Sequence, residues 1–289
     1  MSGNVRSGRS EAGDELMASN LACVGLSVAT ETELNELVRA VRPTAVGIGH
    51  VAGVEVLRWE DPSGARLVLG LQDGQITSLL PSFAAEHTTR LARLRRANDS
   101  VAIAAVVDES GEQLTSLAFE PEQIGLLADD GVDAALAAIT FLGRRVTVHE
   151  DSDAFGRSAD SLLDPNADPS KPAPAHYVER GLKWPPRVGH ESFISYGVFG
   201  EPAHAEAGAR FAGVVIDAER RTVQQSGQTF IAATVQTIGI YASVCLSGTE
   251  FDAVPRPGQV LAGEVFVVGS VASPEQQNQK SRWWQRRRA

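Results

Sequence analysis

At 289 residues, 43% hydrophobic and 21% charged, the chain is long enough for one large domain or two modest ones, each with a core of its own. Its net charge of −10 opposes non-specific binding to nucleic acid or anionic lipid over most of the surface. The longest apolar runs, such as VAIAAVV at 101–107, are far too short to span a bilayer.

Residues 1–20 are small, polar and without period, and read as disordered, with Met17 a possible start beside Met1. No apolar stretch here resembles a secretory signal, so a cytoplasmic protein is expected. Cys23 and Cys245 fit that compartment as small buried hydrophobes. LACVGLSVA reads as a short first strand. A helix follows in TETELNELVRAVRPT, with Thr30 and Glu33 spaced as a capping box and Leu34, Leu37, Val38 and Val41 on one face. Pro43 ends it.

The run VGIGHVAGVEV at 46–56 carries Gly47, Gly49 and Gly53. A dinucleotide loop must follow a strand and open a helix, and here a helix precedes the glycines and the strand-like VEVLRW follows them. The glycines are therefore read as a bend or close approach within a curved sheet. VEVLRW, ARLVLGL and QITSLL then make a meander across the turns EDPSG and QDG. A helix is predicted over 83–96, with Phe83, His87, Leu91 and Leu94 on one face and Arg90, Arg93 and Arg96 on another. VAIAAVVD and LTSLAF form a hairpin across ESGEQ. A second helix is predicted through VDAALAAITFLG, capped by Asp129 or Asp130 and stopped by Gly143, before a strand in RRVTVHE.

Residues 151–187, rich in Asp, Ser, Ala and Pro, read as an acidic linker or lid. Five strand candidates follow in 188–273, and their order resembles a small antiparallel OB-like barrel, with Gly213 inside one strand. The fold expected is thus α+β. It comprises a disordered N-terminus (1–20), a mixed sheet-and-helix domain (21–150), the linker (151–187), the barrel module (188–273) and a basic tail (274–289).

The chemistry-bearing patterns are sparse. The six histidines include no metal-type pair, the acidic repeats near Asp151 and Asp164 lack the calcium-loop spacing, and no nucleophile or phosphate-loop motif occurs. No metal or cofactor is assigned. The last ten residues hold five of the 26 basic groups, so the rest carries 21 basic against 36 acidic groups, a net −15. The tail's Trp283, Trp284, Arg286, Arg287 and Arg288 are the contacts expected for an acidic partner surface.

The leading reading is a non-catalytic binding or assembly protein that engages a protein partner, or its own copy as a homo-oligomer, through sheet surfaces and the tail. One alternative is a single-stranded nucleic-acid binder using the barrel and tail, although 188–273 holds four basic and eight acidic groups. The other is an enzyme with His50, His190 and Glu191 as an acid–base group in a cleft between the modules.

Overall fold

Helix α1 (Glu31–Val41) begins where the capping box places it. Thr30 Oγ1 accepts the Glu33 amide at 3.2 Å, and the Glu33 carboxylate reaches back to the Ala29 amide at 2.6 Å. In the computed structural model, which describes residues 20–128, 130–164 and 170–272, this helix leads into the first of two sheets.

That sheet is an antiparallel meander of β1 (Val46–Val51), β2 (Val54–Glu60), β3 (Ala65–Gln72) and β4 (Gln75–Phe83), side by side in chain order. The first hairpin turns through Ala52 and Gly53, both at positive φ (52° and 84°), the two-residue turn whose twist suits a hairpin. The meander read from the sequence is present.

The second sheet has nine strands: β5 (Thr89–Arg96), β6 (Ala102–Val107), β7 (Gln113–Pro121), β8 (Val132–His149), β9 (Ser192–Ser195), β10 (Gly208–Thr222), β11 (Thr229–Thr237), β12 (Ile240–Ser247) and β13 (Val260–Val271). Two short helices, α2 (Ser152–Arg157) and α3 (Ala175–Glu179), lie between β8 and β9. The chain is therefore sheet-rich α+β. No helix of the described residues is long and apolar enough to cross a membrane.

Strands β8 and β13 organise the large sheet. They pair antiparallel from Ala137↔Val271 to His149↔Val260. On its other edge β8 binds β5 with its first half and β12 with residues Ile139–Leu142. Likewise β13 binds β7 at Val268 and Gly269, and β10 over Val260–Phe266. Two closed circuits of pairing result: β8–β5–β6–β7–β13 and β8–β12–β11–β10–β13. The two long strands are common to both.

A continuous core fills the circuits. It includes Leu91, Leu94 and Phe119 from one side and Phe211, Ile231, Val235 and Leu261 from the other, with Phe141 of β8 between them. Phe141 stacks on Phe193 at 5.5 Å and tilts against Phe211 at 5.1 Å. A second core lies between the small sheet and the outer face of the large one. Trp59, Leu67, Leu69 and Leu71 meet Leu142, Phe230, Cys245 and Val268 there. Leu21, Cys23, Val24 and Leu26 plug the same space.

Three sequence expectations are corrected. LACVGLSVA is not a strand: residues 20–22 are helical and a turn follows, closed by the Leu26 amide on Leu21 O at 3.0 Å. The region 83–96 is not a helix, because β4 runs to Phe83 and β5 occupies Thr89–Arg96. VDAALAAITFLG is not a helix either, but joins RRVTVHE in the 18-residue strand β8. Asp129, one of the caps proposed for it, lies outside the described residues. Within 151–187, Phe155, Ser161 and Leu162 are buried, and the Arg210 guanidinium donates to the carbonyls of Asp160 and Leu162, both at 2.6 Å.

Candidate functional site

Pro43 stops α1, a 3₁₀ turn (Arg42–Thr44) redirects the chain, and β1 enters the small sheet at its end. Among the described residues β1 pairs with β2 alone, so its outer edge presents unpaired backbone donors and acceptors. The pairing skips at the glycines: Gly47 opposes Leu57, Gly49 opposes Val56, and Ile48 is the extra residue of a bulge.

The bulge changes which side chains share a face. Val46, Gly49 and Val51 oppose Arg58, Val56 and Val54, alternate residues of β2, and so line one face together. Gly47 and His50 line the other. At the middle of the first face a Cβ on Gly49 would lie 2.3 Å from Leu126 Cδ1, so the glycine lets the Leu126 side chain of the 3₁₀ turn Ile124–Leu126 lie against the strand there. At the two ends Val46 and Val51 remain 68% and 50% exposed. No Asp, Glu, Lys or Arg occurs in Val46–Val51 to guard the edge.

This edge stands on a fixed platform. Glu122, directly after β7, is buried and accepts from Arg58 at 3.2 Å, Arg66 at 3.3 Å and the Ser82 hydroxyl at 2.7 Å. Those partners come from β2, β3 and β4, and the Glu122 amide donates to Gly269 O of β13 at 2.7 Å. Arg66 also binds Glu60 at 2.7 Å. One residue thus ties three strands of the small sheet, through its carboxylate, to β13 of the large one, through its amide.

A second clasp joins two hairpin tips. Buried Asp61, in the EDPSG turn, accepts from the amides of Ser63 (2.9 Å), Gln224 (3.0 Å) and Gln225 (3.3 Å). Burial alone pushes its carboxyl up, but the Ser63 hydroxyl and these amides outweigh that and hold it below the usual range. Arg221 donates to Ser63 O at 2.7 Å and lies over the Phe83 ring at 5.1 Å. An open depression lined by Pro62, Ser63, Glu219, Arg221, Thr222 and Gln224 remains beside the clasp.

The proposed acid–base residues lie apart in the topology. His50 is on the edge strand β1, opposite Glu55, while His190 and Glu191 precede β9 at the end of the other sheet's strand order; all three are exposed. No hydrogen bond or ion pair joins any two of them among the described residues. His149 instead meets Asp160 at 2.9 Å, and Glu150 holds Arg256 at 2.8 Å. No group of three metal-type ligands occurs among the described residues. The tail contacts Trp283, Trp284, Arg286, Arg287 and Arg288 lie outside the described residues.

Both cysteines are buried free thiols in the second core. Burial pushes Cys23 up to about 12, with Glu250 adding to the rise, and burial also raises Cys245 well above its ordinary value. Sequence reasoning missed Glu122, Asp61 and the exposed valines of β1. Asp61 was legible only as a turn residue, and nothing near Glu122 in sequence announces its partners. No family model, curated protein or solved structure matches the chain.

Proposed function

We propose that this is a cytosolic binding or assembly protein, which takes a protein partner along the outer edge of β1 and through its basic tail. The observation that carries the reading is the edge itself. It is a six-residue strand with a free backbone edge, no formal charge and two exposed valines on one face, held on a rigid platform. Natural sheets guard such edges with charge, proline or brevity, and an unguarded one is suited to strand addition, in which main-chain bonds supply affinity and flanking pockets supply selectivity. The tail's five cations complement the −15 of the remaining chain, and so suit an acidic surface on a partner of similar composition.

A single-stranded nucleic-acid role for an OB-like barrel gains less support. Each arginine of 188–273 is engaged within the chain. Arg210 holds the carbonyls of Asp160, Leu162 and Leu163, Arg220 those of Gly248, Phe251 and Asp252, Arg221 binds Glu219 and Ser63 O, and Arg256 binds Glu150. Guanidiniums so occupied are poorly placed to track phosphates. An acid–base enzyme gains less support as well, because His50 lies on β1 and His190 and Glu191 precede β9, and no hydrogen bond or ion pair joins any two of them among the described residues.

The test is affinity capture from native cytosol. It compares the full chain, the chain ended at Ala272 and the full chain carrying Val46→Lys with Val51→Lys, each with and without nuclease. A protein retained by the full chain, resistant to nuclease and lost from both variants, is the expected result. Nuclease-sensitive recovery, or recovery unchanged in both variants, would overturn the reading.

A further inference from the structure

The bulge in β1 has a consequence for what the edge fits best. In antiparallel pairing, residues directly opposite each other share a face and stand about 4.5–5.5 Å apart. Suppose β1 meets a second β1 about a two-fold axis between Ile48 and Gly49. Val46 then opposes Val51 of the other copy, and Val51 opposes its Val46. Because the bulge has brought Val46 and Val51 to one face, both apolar pairs form on that face, beside Leu126. Gly47 opposes the other copy's His50 on the opposite face, where a glycine leaves room for an imidazole. The strand is complementary to itself at both ends, and the two exposed valines cover each other.

We infer that the partner at β1 is a second copy of this chain, which joins the two four-stranded sheets into one antiparallel eight-stranded sheet across a dyad at Ile48–Gly49. The inference rests on the binding-edge reading above and specifies its partner. Such a contact is isologous and closes after two copies, so it consumes the free edge of β1 on each copy, while β4, which pairs with β3 alone, forms the two outer edges of the joined sheet. It would be a modest interface by area, held by backbone bonds and four valines, and so a concentration-dependent dimer.

Sedimentation velocity on the full chain, over a range of concentrations, tests it with two paired variants. Val46→Lys with Val51→Lys sets ammonium groups opposite each other at both ends of the seam and should weaken the dimer at least about tenfold. Val46→Lys with Val51→Glu sets an ammonium opposite a carboxylate at the same two places and should restore it. Both changes sit at exposed positions, so thermal unfolding of the variants checks that the fold is intact. A wild type monomeric at its highest soluble concentration overturns the inference. So does a lysine pair that still dimerises, or two variants that are equally monomeric. In the monomeric wild-type case, capture of a different protein that is lost with the lysine pair leaves the function reading standing.

Discussion

Glu122 shows how much of this fold turns on single side chains. Its carboxylate has no exposed surface and answers two guanidiniums and a hydroxyl from three successive strands. Truncation removes the buried counter-charge of Arg66, whose side chain is only 10% exposed, and leaves it the half-exposed Glu60 alone. Breaking a buried pair from one side typically costs about 3–5 kcal/mol. Glu122→Ala should therefore lower unfolding free energy by that order in urea titration, and a loss under about 1 kcal/mol would show that the network carries little. The cysteines make the complementary point. With burial driving Cys23 to about 12 and Cys245 also raised, the thiolate fraction near neutral pH is negligible. A disulfide reagent should label neither thiol in the native protein and both after denaturation. Rapid native labelling would mean that the second core opens readily.

Among elements, the clasp between the β2–β3 and β10–β11 tips carries a dependence on pH. Asp61 is held below its unfolded value, so its contribution is complete above the ordinary carboxylate range and is lost as pH falls through the folded value. Stability should thus decline below about pH 4, and Asp61→Asn should flatten that limb while lowering stability at neutral pH. Replacement by Ala leaves the part-buried amides of Ser63 and Gln224 without this acceptor, at a cost near the low end of the about 1–3 kcal/mol typical of an unsatisfied buried donor. Equal acid sensitivity in wild type and Asp61→Asn would move the effect elsewhere.

The elements were unevenly legible in sequence. Hairpins marked by Asp-Gly or by Pro and Gly, and the capped helix, were readable because local chemistry decides them. Strand β5 was misread because its bulge between Ala92 and Arg95, with Arg93 at φ 54°, brings Leu91 and Leu94 to the same side. Three-residue spacing then imitates a helix. Strand β8 was misread because its alanines favour helix, whereas burial between two circuits decides the outcome in the folded chain. The candidate edge was half readable. The glycines announced a sheet irregularity, but the shared face of Val46 and Val51 depends on register, which pairing alone reveals.

At the scale of the molecule, β8 and β13 serve two closed circuits, and closure removes free edges wherever it occurs. The small sheet is not closed. Its edges are β1 and β4; β4 carries Pro81, whereas β1 carries neither proline nor formal charge, with Glu122 and Asp61 fixing the sheet in place behind it. The most direct test of β1 as the contact is amide hydrogen exchange of the full chain at low and high protein concentration. Amides within Val46–Val51 should gain protection as concentration rises, while those of β3, paired on both sides, stay unchanged. Protection of β1 that is indifferent to concentration, or a gain confined to other strands, would contradict pairing through this edge.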